Sequence, residues 1–113
     1  MARRPLRESA TVRLVGGAGT VKIGPRSARE VWHPDNVHIK CDTKVLEARC
    51  SIYVGPDTSA QSFRDESVLA SSGDSSGAVS ADSVPVSWYI WAVWTGGDAT
   101  TYATLSVTGE RDV

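Results

Sequence analysis

Apolar and polar residues alternate in short runs along this chain, and no stretch repeats at the period of a helix. Alternation with period two puts one face of a strand in a core and the other in water. The runs predict seven strands, over residues 8–15, 19–24, 37–42, 47–54, 62–70, 84–95 and 102–110, and a short eighth near 78–80. Turn chemistry stands between them: Gly16-Gly17, Gly24-Pro25, His33-Pro34-Asp35-Asn36, Gly55-Pro56-Asp57, Ser71-Ser72-Gly73-Asp74 and Gly96-Gly97-Asp98. Residues 71–83, rich in Ser, Gly, Asp and Ala, read as a long exposed loop.

Within the strands, Val12 with Leu14, Val21 with Ile23, Val37 with Ile39 and Cys41, and Ala48 with Cys50, Ile52 and Val54 fall on common faces. Arg13, Lys22, His38, Lys40, Glu47, Arg49 and Ser51 fall opposite them, as in a sheet with one buried and one wet face. Residues 84–95 break that rule. Val84, Val86, Trp88, Ile90, Ala92 and Trp94 make one apolar face, and Tyr89, Trp91 and Val93 make the other apolar too. A loop, the N-terminal arm, a second polypeptide or a ligand must then cover the second face, because large bare apolar patches are uncommon on monomers. Tyr89, Trp91 and Val93 are the candidate interface.

A length of 113 residues suits one domain. The expected architecture is all-β: a single antiparallel sandwich, jelly-roll or Ig-like, of seven to eight strands over residues 8–113. Residues 1–7 carry Arg3, Arg4 and Arg7 around Pro5 and are expected to form an extended basic arm that reaches a neighbouring subunit. No apolar run follows those arginines, so no secretory signal is expected and the protein is expected to be made and assembled in a cytoplasm. The longest apolar stretch, around Trp88 to Trp94, falls short of the ~20 residues of a membrane span, and no membrane insertion is expected.

The net charge of −1 selects neither nucleic acid nor an anionic membrane as partner. It hides an asymmetry, since residues 1–49 hold ten Lys or Arg against five Asp or Glu, and residues 50–113 hold two against eight. Copies of such a chain could pair head to tail, unless the two halves interleave on folding. Cys41 and Cys50 are expected on the same face of neighbouring strands, as small buried thiols or as a pair able to oxidise.

Candidate chemistry is thin. Gly73-Asp74-Ser75-Ser76-Gly77 has the look of a serine-protease nucleophile segment, but a triad also needs an oriented histidine and an oxyanion hole. His33, Asp35, His38, Cys41 and Asp42 lie close in sequence, yet His38 and Cys41 point to opposite faces of a regular strand. The adjacent Asp65 and Glu66 diverge in the same way. No catalytic residue, metal ligand or cofactor is assigned. Exposed aromatic rings can bind carbohydrate, and Trp32, Tyr53 and Tyr102, with Trp91, are the candidate platform.

The run from Trp91 through Trp94-Thr95-Gly96-Gly97-Asp98 to Gly109, with Gly24-Pro25 and Glu30-Val31-Trp32 upstream, resembles small virion-associated proteins of tailed phages that infect actinobacteria. The resemblance covers residues 19–110. It implies a non-enzymatic β-sandwich component of the virion, a tail or tail-tip protein or a capsid decoration protein, whose partners are copies of itself and other virion proteins. It carries no catalytic residues with it. A module binding host-surface carbohydrate is the alternative.

Overall fold

The structure, a computed structural model, describes residues 3–43, 46–69, 74–77, 83–99 and 101–112. The chain is an antiparallel sandwich, and its strands are β1 (Arg3–Arg13), β2 (Gly19–Ile23), β3 (Val31–Cys41), β4 (Ala48–Gly55), β5 (Phe63–Leu69), β6 (Asp74–Gly77), β7 (Val84–Pro85), β8 (Tyr89–Thr95) and β9 (Tyr102–Asp112). One sheet runs β1-β9-β3-β6, with β7 also paired to β3, and the other runs β2-β8-β4-β5. The pairs are nested. β4 with β5 is innermost in sequence, then β3 with β6 and β7, then β2 with β8, and β1 with β9 outermost. One long antiparallel ribbon rolled over on itself has this connectivity, so of the two expected sandwiches the strand order selects the jelly roll over the immunoglobulin arrangement.

The inward stripes assigned from alternation close the core. Val37, Ile39 and Cys41 from one sheet meet Ala48, Cys50, Ile52 and Val54 from the other, with Ile90, Ala92, Trp94, Ala103, Leu105 and Val107 between the same layers. Val12, Val21 and Ile23 pack on its margin. The corner between β1 and β2 is the tight turn Val15-Gly16-Gly17-Ala18, closed by hydrogen bonds in both directions between Val15 and Ala18. Gly16 and Gly17 take φ of 64° and 81°. Two central residues at positive φ suit a hairpin turn, and glycine reaches them without strain.

Four expectations need correction. Residues 84–95 are not one strand: β7 belongs to one sheet and β8 to the other, and between them the chain turns at Ser87, at φ 74°. Val86 and Trp88 therefore leave the core face and are exposed. His33-Pro34-Asp35-Asn36 is not a loop but part of β3, whose register against β9 shifts between Pro34 and Asn36. A bulge tolerates a proline that a regular central strand would reject. Asp74–Gly77 is a strand on β3, not a free loop. The basic arm is extended, but from Arg3 onward it is the first part of β1, paired to β9 as far as Asp112. The suggested strand near 78–80 lies outside the described residues.

The charged halves of the sequence meet within the chain. Arg3 bonds Glu110 at 3.0 Å and Asp112 at 3.1 Å, Arg49 bonds Glu66 at 2.9 Å, and Arg111 lies 3.4 Å from Glu30. Nested pairing of chain beginning with chain end brings this about, and it uses up much of the asymmetry that head-to-tail pairing would need. Asp112 also shares a 2.9 Å hydrogen bond with His33. That bond, aided by the Arg3 charge, holds the Asp112 carboxyl below the usual range. A depressed folded value stabilises the fold above the unfolded value and is lost as pH falls through the folded one. Asp112→Asn is therefore expected to flatten the melting temperature against pH on the acid side of 3.8 and to lower it at pH 7, where the wild-type contribution is fully present.

Candidate functional site: an aromatic row on the four-stranded sheet

Strand β8 faces the core with Ile90, Ala92 and Trp94 and turns Tyr89, Trp91 and Val93 outward, as alternation predicts. The expected cover β1 is committed to the opposite sheet, and the backbone at Gly24 approaches the Tyr89 ring at one end of the face. Register then decides what surrounds Trp91. Lys22 of β2 and Tyr53 of β4 are its direct cross-strand partners, and Phe63 of β5 is the partner of Tyr53. Lys22, Trp91, Tyr53 and Phe63 thus form one row across all four strands, with Tyr89 beside it.

The row is organised by contacts of its own. Tyr89 and Trp91 meet edge to face with ring centroids 5.7 Å apart, and Tyr53 and Phe63 do the same at 5.7 Å. Such pairs contribute about 0.5–1.5 kcal/mol beyond the area they bury. The Lys22 ammonium lies 4.3 Å from the Tyr89 ring centre and 5.0 Å from that of Trp91. It is a cation held by two π faces. The Trp91 indole N–H donates to the Gly55 carbonyl at 3.0 Å, which fixes the ring on the sheet. Phe63 remains 44% exposed, and Tyr89, Trp91, Val93 and Tyr53 are half-buried. Along one margin Glu66 accepts from Arg49 at 2.9 Å and from Ser51 at 3.4 Å. The arrangement offers a preorganised aromatic surface with a polar border.

No protein-family model and no curated protein sequence matches the chain. Solved structures do share its fold. The chain is similar to a protein of the Bacillus endospore appendages, which form disulfide-linked pili. The two are 14% identical at a TM-score of 0.58, over 96% of this chain and 86% of that one. A second likeness, to PirA, stands at 13% identity and a TM-score of 0.50, over 88% of this chain and 92% of PirA. At such identities the likeness is one of fold. The disulfides belong to the appendage protein, for the two cysteines here, Cys41 and Cys50, are free and fully buried.

The remaining candidates scatter over this jelly roll. Trp32 is a core residue at 3% exposure, Tyr53 lies in the aromatic row, and Tyr102 is exposed on the opposite sheet, so the three do not form one platform. Arg3 is tied to Glu110 and Asp112 and is not extended toward a neighbour; Arg4 and Arg7 are exposed. Cys41 and Cys50 sit on facing sheets rather than neighbouring strands. Among the described residues no group of three or more His, Cys, Asp or Glu could hold a metal ion, and no helix is long and apolar enough to cross a membrane. Asp65 is engaged by the backbone N–H of Glu66 and not by a shared substrate site. Sequence reasoning missed Lys22 and Phe63 as members of the row. Both stood in predicted strands, but only the register aligns them with Trp91.

Proposed function

We propose that the protein is a non-enzymatic structural subunit that assembles with copies of itself, as a tail or tail-tip component of a phage virion, through the aromatic face of its four-stranded sheet. The observation that carries this reading is the row Lys22, Trp91, Tyr53 and Phe63, which spans the sheet and leaves Lys22 and Phe63 exposed. Tryptophan and tyrosine supply much of the energy of protein interfaces, and the rings here are already oriented. With both cysteines buried, this domain holds its neighbours without disulfides. The resemblance of residues 19–110 to phage virion proteins supports the setting, and a jelly roll is a fold that builds repeated assemblies.

The opposite face suits the role of partner. Arg7 and Arg13 of β1 project outward from the five-stranded sheet among Ser9, Thr11, Thr104 and Ser106, and Lys40 of β3 lies opposite Asp74 of β6. A cation over the aromatic row is the contact that Lys22 already makes inside one subunit. Stacking one sheet's basic face on the next subunit's aromatic face gives a heterologous contact, which propagates as a ring or filament.

Trp91→Lys is expected to abolish concentration-dependent assembly in sedimentation velocity and negative-stain images while the circular dichroism of the monomer stays unchanged. Arg13→Glu is expected to do the same from the other side of the contact. Wild-type protein that remains monomeric at every concentration, or a Trp91→Lys variant that unfolds, refutes the reading. Labelling purified particles with antibody to this chain distinguishes the tail from the alternative, a capsid decoration.

A further inference from the structure

The two ends of the sandwich differ in kind. At the end where β1 turns into β2, three connections are bonded to one another. The Gly97 N–H donates to the Gly17 carbonyl at 3.3 Å, the Asp98 N–H to the Thr43 hydroxyl at 3.1 Å, and the Leu46 N–H to the Asp98 carboxylate at 2.9 Å. The Thr43 hydroxyl, on a fully buried side chain, donates in turn to the Leu46 carbonyl. From this fixed end two apolar side chains stand out in water, Val15 at 79% exposure and Leu46 at 54%. A tip already held in place loses little freedom when it binds.

The other end, where β2 stops and β8 starts, carries a cleft of about 450 Å³ with Ile23, Pro25, Val86 and Tyr89 in its walls. Its rim is the turn between β7 and β8, closed by the Trp88 N–H on the Pro85 carbonyl at 3.1 Å and bent at Ser87, φ 74°. Residues other than glycine are uncommon at positive φ, and those held there cluster at functional sites. This turn keeps Val86 and Trp88 outward, each 37% exposed. The charges sort by end as well. Arg26 and Arg29, exposed in the loop beside the cleft, and Asp42 and Glu47, exposed on either side of the Thr43 and Leu46 bonds, have no ion-pair partner among the described residues.

We propose that the Val15 and Leu46 tip of one subunit docks in the cleft of a second copy, with Asp42 and Glu47 meeting Arg26 and Arg29. Knob and cleft lie at opposite ends of one chain, so the contact is heterologous and propagates. β1, β3 and β9, at 11 residues each, run about 36 Å, longer than either short axis of a molecule 47 Å by 25 Å by 21 Å, so the strands lie along the long one. Contact through the ends therefore spaces subunits by near 47 Å, whereas stacked faces space them by 21–25 Å. Two aliphatic side chains and two charge pairs fall short of the roughly 1,200 Å² that a stable pair buries. The end contact thus rests on the face contact proposed above: it forms between subunits already stacked, where many weak contacts add, and it joins the stacks into a sheet.

Negative-stain images of assemblies of the full chain test this. Their power spectrum is expected to hold a repeat near 47 Å besides the one at 21–25 Å. Val15→Lys, at an exposed hairpin position, is expected to erase the longer repeat and keep the shorter. Reversing Arg26 and Arg29 to Glu is expected to do the same, and so is reversing Asp42 and Glu47 to Lys. Mixing those two proteins is expected to restore the longer repeat, because each presents the charges that the other's ends require. A longer repeat that survives Val15→Lys or either reversal overturns the proposal, as does a mixture that fails to recover it. Wild-type assemblies that show the shorter repeat alone overturn it too and leave the face contact standing, whereas protein that never assembles removes both.

Discussion

Gly109→Ala is expected to destabilise the protein by about 4 kcal/mol, at the upper end of what single substitutions do. Gly109 lies in β9 opposite Pro34, where β3 takes its bulge. A Cβ built there would fall 2.3 Å from the His33 carbonyl oxygen and 2.8 Å from both the Asp35 nitrogen and the Pro34 Cα. All three are backbone atoms of a central strand, so no side chain can swing aside to make room. Relief requires moving β3 away from β9, and β9 is bonded to β1 on its other side. The cost is read as a shift of the urea midpoint at unchanged slope, with Thr108→Ala, an exposed neighbour in the same strand, as the control. A loss under about 1 kcal/mol would mean that the bulge is compliant and that β3 is not pinned at this point.

The same position shows what the chain makes readable and what it hides. Alternation located the inward stripes of β2, β3 and β4 and the outward Tyr89, Trp91 and Val93, because a period of two fixes the face of each residue within its own strand. It is silent on which strand lies beside which. His33-Pro34-Asp35-Asn36 has turn composition, and local preference alone makes it a loop. Pairing with β9 keeps it in the sheet instead, and Gly109, some seventy residues away, is the partner that permits the close approach. In the stretch around Val86 and Trp88 the apolar character was misleading in the opposite sense. Continuity of hydrophobic residues suggested a single strand, whereas positive φ at Ser87 ends one strand and starts another in the facing sheet.

The candidate site divides along the same line. Trp91 could be named from its strand, since an aromatic residue on a face that water should have claimed is a local anomaly. Its neighbours could not. Tyr53 looked like a ring on a wet face, Lys22 like an ordinary outward lysine, and Phe63 like a strand residue without distinction. Register across β2, β8, β4 and β5 turns these separate residues into a row, and register is the quantity that depends on the whole roll of the ribbon. Trp32 failed as a platform for the converse reason. Its strand begins at Val31, several residues before the predicted start, and the added turn residues place its ring inward.

Alkaline pH is expected to destabilise the protein steeply, through one thiol. Cys50 is fully buried, and burial, reinforced by the nearby Cys41, pushes its thiol from the usual value near 9 up to about 12, against a backbone hydrogen bond from Val93 that acts the other way. A thiol whose folded value is raised is protonated in the native state where the unfolded chain has already lost its proton. Its contribution is therefore complete below about pH 9 and is lost progressively as pH rises toward 12. Three pH units correspond to about 4 kcal/mol at most, and the part lost by pH 10.5 is about half of that. Urea unfolding under reducing conditions at pH 7.5 and pH 10.5 measures the loss. Other groups titrate in that window, so the decisive comparison is with Cys50→Ala, whose decline between the two pH values is expected to be smaller by about 2 kcal/mol. Thiol reagents give the kinetic counterpart: a protonated thiol behind two sheets reacts at the rate of unfolding, not at the rate of an exposed cysteine. Equal declines in the two proteins, together with rapid labelling of the native state, would show that the layer between Cys41 and Cys50 admits water and that the sandwich opens locally there.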